Sequence, residues 1–585
     1  MIAPPDAGEF LGSTALLGRL PVVALEELAK TVRWLTLPGG ETLFRGGDPG
    51  ESIYLVASGR LRVSDGALER EAARGDCGGE LALLTGERRS ATVVAVRDTE
   101  LAELTRADFD RVAERYPAAI LDLARLVAAR LLGAGDNRDV PPVSTIALVP
   151  MPGVNLNEIA IVIRDALSTI GSTLHVSAAR ELVADEQART RWLNAQEFEH
   201  TFVLYEADEG LTSWTRCCIR QADRVLMFAR PDSPRAIPGI PASSELVLIH
   251  RAAPVGTDRW PADAFACRHH VLEDSREDLE RVVRHVTGHA VGLVLSGGGA
   301  RAFAQIGVVR ALGEAGVPID RVGGTSIGAV LGAQIAARND WRRLVELHRG
   351  RWRNDYTLPH LALLAGKRTR KGVEAWFGDT RIEDLWLPFF CVSTNLSSAE
   401  MVVHRQGVVR DAVRASMSVP GVLPPFVRED GELLVDGGLL NNLPTNFMRA
   451  LGPGTIIAVD VSPRLDSKLT VERALPRVRD AALSLLRPSG RKSVNILRIL
   501  QRATLVPSIE LGTQARGESD FYLAPPVQDV DLLDWSSLER VAEIGYHYAS
   551  EQIAEWRHAL PAVEAPIAPG VNRGAAPRAA IYARA

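Results

Sequence analysis

Gly324-Thr325-Ser326-Ile327-Gly328, running directly into Ala329-Val330-Leu331-Gly332-Ala333, is the stretch on which the reading of this 585-residue chain turns. A strand that bends sharply into a helix crowds the positions two before and two after the bend, so both must be small and the serine hydroxyl between them is left projecting. The start of the helix also favours negative charge developing there. A serine at a helix start is more often a plain N-cap, so the flanking sequence has to decide.

Upstream, Val291-Gly292-Leu293-Val294-Leu295 reads as a buried strand, followed by Ser296-Gly297-Gly298-Gly299-Ala300-Arg301-Ala302 and a helical stretch ending near Gly316. Consecutive glycines between strand and helix let successive N–H groups converge on one point, an anion-binding nest of the kind an oxyanion hole requires. Gly297, Gly299 and Ala302 also satisfy the dinucleotide fingerprint G-x-G-x-x-G/A. That competitor needs an acidic residue closing the next strand, and Asp320 instead precedes the apolar Val322. Alone the two readings are evenly matched; the serine elbow favours the hydrolase. Downstream, Leu433-Leu434-Val435-Asp436-Gly437-Gly438 ends a strand on a carboxylate. A lone Asp-Gly pair would be an ordinary turn, but here it can bring a base to the sheet edge that holds Ser326.

In this order the three motifs resemble those of the patatin-like phospholipases, and Ala415-Ser416-Met417-Ser418-Val419-Pro420-Gly421-Val422-Leu423-Pro424-Pro425 is similar to that family's apolar segment before the aspartate. The resemblance implies a three-layer α/β hydrolase over about 291–557. It also implies a Ser326–Asp436 dyad without histidine, oxyanion donors Gly297, Gly298 and Gly299, and Arg301 supporting the charge there. The implied reaction is hydrolysis of fatty-acyl esters of phospholipids or lysophospholipids, with no cofactor required. Ala302 stands where the family usually has glycine, a mild change if the position only packs and a serious one if its backbone needs positive φ. A triad of the common α/β-hydrolase kind would need a late histidine, for which His547 and His558 are candidates.

From Phe10 to about 135 the text changes to short strands with turn signals and then helices. Ser52-Ile53-Tyr54-Leu55-Val56 and Leu61-Arg62-Val63, separated by Ser58-Gly59, predict a β-roll, and Ala107 to Leu132 has apolar residues at helical spacing. Gly79-Glu80-Leu81-Ala82-Leu83-Leu84, with Arg89-Ser90-Ala91-Thr92-Val93, resembles the phosphate cassette of cyclic nucleotide-binding domains. That resemblance implies cAMP or cGMP as a regulatory ligand, with Arg89 on the phosphate, Glu80 on the ribose hydroxyl, and Gly79 and Ser90 beside them. Gly78 in place of an aromatic and Arg88 in place of a proline leave a packing module as the alternative. A DNA-binding reading fails because no helix-turn-helix pattern follows and the charge is not basic.

Residues 136–142 read as a linker. Between about 143 and 288, Ile146-Ala147-Leu148-Val149, Phe202-Val203-Leu204-Tyr205, Val225-Leu226-Met227-Phe228 and Leu246-Val247-Leu248-Ile249 are the continuous apolar runs of parallel strands buried on both faces, hence a middle α/β domain. It is similar to the region between sensor and hydrolase in bacterial relatives of neuropathy target esterase. It carries no Walker A motif, and His269-His270 reads as structural. The tail, 561–585, is rich in Ala, Pro, Gly and Arg and is expected to be disordered.

Bulk composition sets the remaining bounds. A chain of this length predicts several domains. Lys+Arg 67 against Asp+Glu 72 gives a formal net charge of -5, which disfavours nucleic acid as a partner. Five cysteines without CxxC or Cys/His spacing argue against a disulfide framework or a metal site. The sequence shows neither a secretory signal nor an 18-residue apolar run, so a cytoplasmic protein with peripheral membrane contact is expected. Gly366-Lys367-Arg368-Thr369-Arg370-Lys371 is a candidate contact for anionic head groups, or simply a solvated loop.

Overall fold

The computed structural model describes residues 7–556, apart from 15, 19, 66–68, 117–142, 179–185, 235–239, 242, 261–263, 353, 358–361 and 463–508. The expected linker at 136–142, the helical pattern beyond 116 and the tail at 561–585 therefore lie outside the described residues. The chain divides into two compact units, Met1–His250 with Arg259–Thr287 and Arg251–Asp258 with Gly288–Ala585.

The first unit opens with a β-roll of eight short strands: β1 (Arg33–Leu37), β2 (Thr42–Phe44), β3 (Ser52–Ser58), β4 (Leu61–Ser64), β5 (Glu69–Ala72), β6 (Cys77–Gly78), β7 (Thr92–Ala95) and β8 (Thr99–Thr105). They form two antiparallel sheets, ordered β1-β8-β3-β6 and β2-β7-β4-β5. Alternation along β4 buries Leu61 and Val63 while Arg62 and Ser64 are only partly covered, as expected of strands with one face on a core. A capping box between Thr105 and Asp108 starts the Arg106–Arg115 helix.

The same unit holds a six-stranded parallel sheet, β9 (Thr145–Pro150), β10 (Thr173–Ser177), β11 (Phe202–Glu206), β12 (Arg224–Ala229), β13 (Glu245–His250) and β14 (Cys267–Leu272), ordered β10-β11-β9-β12-β13-β14. All four apolar runs read from the sequence are central or near-central strands here. The β-roll is fastened to this sheet by a buried ionic cluster. Asp223, just before β12, accepts from Nε of Arg97 at 2.7 Å, Nη2 of Arg60 at 3.3 Å and the backbone N–H of Ser144 at 2.8 Å. Arg97 also makes a two-pronged bond to Glu197, at 2.8 and 2.7 Å.

The second unit is built on one sheet: β15 (Val291–Leu295), β16 (Arg321–Thr325), β17 (Phe389–Asn395), β18 (Glu400–His404), β19 (Phe426–Val427), β20 (Leu433–Asp436), β21 (Thr455–Val459) and β22 (Phe521–Leu523). Its order is β19-β20-β17-β16-β15-β21-β22, with β18 also paired to β17. Successive residues of β15 enter different cores: Leu293 and Leu295 join the cluster that includes Phe303 and Leu331, and Val294 joins Phe390 and Ile456. Both faces are thus covered, which is the expected three-layer arrangement. β15 lies between β16 and β21, so the chain leaves the sheet in opposite directions on its two sides, and the carboxyl ends of these strands open a crevice.

Candidate active site

Strand register alone brings the two sequence-predicted reacting groups level. Thr325 of β16 pairs with Val392 of β17, and the next residue of β17, Ser393, pairs with Asp436 of β20. Ser326 and Asp436 thus stand at one height, two strand spacings apart, or about 10 Å between backbones, a gap their side chains close from either side.

Ser326 has φ 57° and ψ -125°, a left-handed conformation that a side-chain-bearing residue adopts at a cost of about 1–3 kcal/mol. The Ile327–Ala336 helix begins immediately after it. The two flanking glycines are required by contact: a Cβ on Gly324 would lie 2.6 Å from the Gly328 carbonyl oxygen, and one on Gly328 would lie 2.4 Å from that of Leu295. The strained turn is pinned by the Ser326 N–H donating to Ser416 Oγ at 3.0 Å and Thr325 Oγ1 donating to the Asn441 carbonyl at 3.1 Å.

Asp436 is buried, and its Oδ1 accepts the Gly438 N–H at 2.7 Å. Oδ2 makes no hydrogen bond among the described residues. Burial pushes this carboxyl up to about 6, against a smaller opposing effect of the Ser326 hydroxyl and the Gly438 N–H. Ser326 Oγ makes no well-aligned bond to Oδ2, and such bonds in a reacting pair often tighten only when substrate is bound.

Gly297, Gly298, Gly299, Ser326 and Asp436 line one cavity that opens to solvent, whose remaining wall is largely apolar: Ile327, Leu364, Met417, Val419, Val422, Leu423, Leu532, Leu533, Trp352 and Trp535. The Gly297 N–H is already engaged with the Asn442 carbonyl at 3.3 Å. Gly298 and Gly299 instead open the Gly299–Phe303 turn, where the first N–H groups have no acceptor within the helix. Arg301 is not in the cavity wall; its Nε donates to the Val530 carbonyl at 2.8 Å, so it fastens the 530 loop whose Leu532 and Leu533 form that wall. Ala302 is buried and is not among the residues with positive φ, so the departure from glycine costs no backbone strain.

The alternatives left open by the sequence are decided by position. Asp320 is buried, with Oδ2 accepting the Val291 N–H at 2.9 Å, and caps a strand instead of facing a crevice. His547 is exposed on the Leu538–Trp556 helix, 3.7 Å from Glu543, and no histidine lines the cavity among the described residues. His558 lies outside the described residues. Sequence reasoning missed Asn442, which holds Gly297 from both sides of its peptide, and the Trp352–Trp535 pair, stacked at 4.6 Å with Trp535 Nε1 on Asn354 at 3.0 Å. These residues come from distant loops and carry no motif.

A second, smaller cavity lies in the β-roll and is lined by Gly79, Glu80, Arg89 and Ser90 together with Phe44 and Arg70. Arg89 stacks over the Phe44 ring at 4.2 Å and reaches the Gly79 carbonyl at 3.2 Å, while Glu80 stands 3.6 Å from Arg70.

Comparison with known proteins matches residues 293–448 to the patatin-like phospholipase family. The second unit carries a patatin-like phospholipase domain. Residues 34–116 match the cyclic nucleotide-binding domain and residues 142–290 the neuropathy target esterase family P-loop like domain. The chain is 32% identical over 614 residues to patatin-like phospholipase domain-containing protein 7 of Rattus norvegicus, covering 89% of this chain and 45% of that one. Against patatin-like phospholipase domain-containing protein 6 of Homo sapiens it is 32% identical over 614 residues, covering 90% and 45%. The chain thus spans about half the length of these curated relatives. Among solved structures, the catabolite activator protein of Thermus thermophilus is 36% identical over 20% of this chain and 59% of that one, with a TM-score of 0.19. The patatin-like domain holds Ser326 and Asp436 within its matched span. No helix among the described residues is long and apolar enough to cross a membrane.

Proposed function

We propose that the patatin-like domain hydrolyses fatty-acyl esters of phospholipids or lysophospholipids through a Ser326–Asp436 dyad. The observation that carries this reading is a strained serine facing a buried carboxylate across a glycine nest, all in one apolar cavity. Asp436 takes the proton from the Ser326 hydroxyl as its oxygen attacks the ester carbonyl. The carbonyl oxygen, now negative, is held by the N–H groups of Gly298 and Gly299, with Gly297 and Asn442 fixing the loop. The proton passes to the departing alcohol, leaving an acyl-serine that water cleaves with Asp436 again acting as base. Arg301 supports this indirectly, through the loop it anchors. The apolar wall suits an acyl chain, and Thr369 in that wall belongs to the segment bearing the exposed Lys367, Arg368, Arg370 and Lys371, which suits a peripheral stance on an anionic membrane face.

The β-roll cavity is the proposed regulatory site, taking cAMP or cGMP with Arg89 on the phosphate and Glu80 on the ribose, flanked by Gly79 and Ser90. Binding requires Arg89 to turn from the Gly79 carbonyl toward the ligand.

A fluorophosphonate probe applied to the full chain, with and without cyclic nucleotide, tests both parts. Labelling is expected at Ser326 and absent in Ser326→Ala, which also loses ester hydrolysis by at least about a thousandfold. Full hydrolysis in that variant would remove the serine from the mechanism, and labelling that ignores both nucleotides at saturation would remove the regulation.

A further inference from the structure

The middle sheet contains a cluster that plays no part in the hydrolase reading. In the parallel register of β13 and β14, Glu245 pairs directly with Cys267. His269 is two residues beyond Cys267, so strand alternation places the two on one face. The carboxylate, thiol and imidazole have ligand atoms all within 4.8 Å of one another, and this is the single such trio among the described residues. Glu245 and His269 are buried and joined at 2.7 Å, and Cys267 is partly exposed, opening the cluster toward solvent. Arg224 stands 3.9 Å from the other Glu245 oxygen, Cys267 Sγ lies 3.7 Å from the Arg268 carbonyl, and the His285 ring packs 5.2 Å from that of His269.

We propose that Glu245, Cys267 and His269 form a binding site for a divalent cation of the zinc class. Thiolate, imidazole and carboxylate together are the donor set such borderline ions select, and hard cations such as magnesium take oxygen donors instead. Bond lengths of about 2.0–2.3 Å to a tetrahedral ion set the ligand atoms roughly 3.3–3.8 Å apart. Glu245 and His269, now hydrogen-bonded at 2.7 Å, therefore part by roughly half an ångström to admit the ion, while any wider pair, all being within 4.8 Å, closes by about an ångström. Three protein ligands leave a fourth position, which falls on the open Cys267 side and suits a water molecule. The ion ties β14, the edge strand, to β13. The Cys-x-His pair and a glutamate more than twenty residues earlier carry no zinc-finger spacing, which is why the sequence pointed to no metal; parallel register assembles the site.

The test uses the full chain stripped with a chelator and titrated with Co2+. One equivalent is expected to raise a thiolate-to-cobalt charge-transfer band with the visible absorption of a four-coordinate ion, both bleached by Zn2+. Cys267→Ser should abolish the charge-transfer band and weaken Zn2+ binding at least as much as loss of an outer partner does, about 10- to 100-fold. The circular dichroism spectrum and the thermal transitions of the metal-free chain should be unchanged in that variant, showing that the fold is intact. Glu245→Gln, which retains a hydrogen-bonding partner for His269, is expected to weaken Zn2+ binding similarly and serves if the serine variant does not fold. Absence of saturable uptake of either ion, or uptake unchanged in both variants, overturns the proposal.

Discussion

Burial pushes the Asp436 carboxyl up to about 6 from an ordinary 3.8, and this single displacement has two separable consequences. As the proposed base it would work only when ionised, so kcat/KM for ester hydrolysis is expected to climb through a pH near 6 and flatten above 7; a profile flat from 5 to 8 would contradict that assignment. A raised folded-state pKa means that the favourable contribution is fully present below about 4 and is lost as pH rises through about 6. At neutral pH the carboxylate therefore costs stability, on the order of 3 kcal/mol at 1.36 kcal/mol per pKa unit. Asp436→Asn should thus abolish hydrolysis and at the same time raise the melting temperature at pH 7.5, with the gain vanishing near pH 4; thermal denaturation at the two pH values separates these effects.

Among the elements, the pairing of the Ala304–Glu314 and Leu538–Trp556 helices sets the back of the patatin-like domain. A Cβ on Gly307 would lie 1.9 Å from the Ala542 carbonyl oxygen, and one on Gly545 would lie 2.0 Å from that of Ala304. Glycine inside a helix ordinarily costs up to about 1 kcal/mol relative to alanine. Here the obstacle is backbone, which cannot rotate away, so Gly307→Ala is expected to destabilise by about 1–3 kcal/mol despite its better helix propensity. Chemical denaturation measures the sign directly: a more stable Gly307→Ala would mean that the helices stand further apart. Of these two helices the sequence showed only the first, as the helical stretch ending near Gly316. It gave no hint that these glycines face each other's backbone, because their separation along the chain is more than two hundred residues.

Across the whole first unit, Asp223 joins modules that composition would have left as independent beads. Burial alone would raise its pKa, but Arg97 and Arg60 hold it down at about 2. A depressed pKa contributes stability above about 4 that disappears as pH falls through about 2. Removing the charge leaves Arg97 with Glu197 and Arg60 with Glu71 as their remaining carboxylates, so the cost is expected at or below the roughly 3–5 kcal/mol typical of a fully broken buried pair. Asp223→Asn is expected to lower the denaturation midpoint and to separate unfolding of the β-roll from that of the parallel sheet, seen as a second transition in calorimetry. One cooperative transition at the original temperature would show that the cluster does not couple them.

What the sequence by itself determined follows from short-range physics. Glycines flanking Ser326 and a run of three glycines after a buried strand are demanded by backbone crowding and by local N–H geometry, so they can be read in place, whereas Asp436 gained a role only from its order after them and the resemblance that order carries. Continuous apolar runs likewise reveal parallel strands, and the short strands at 52–56 and 61–63 around Ser58-Gly59 reveal the β-roll. The tertiary structure decided everything that depends on which segments meet. It set Ser326 level with Asp436 through β17, turned Arg301 onto the Val530 carbonyl, and gave the cavity its tryptophan wall from remote loops. It also tied Arg97 to Asp223 and placed Glu245 beside Cys267. These are consequences of strand order and register, and the period-two pattern of a strand says which face a side chain takes but not which neighbour it will find.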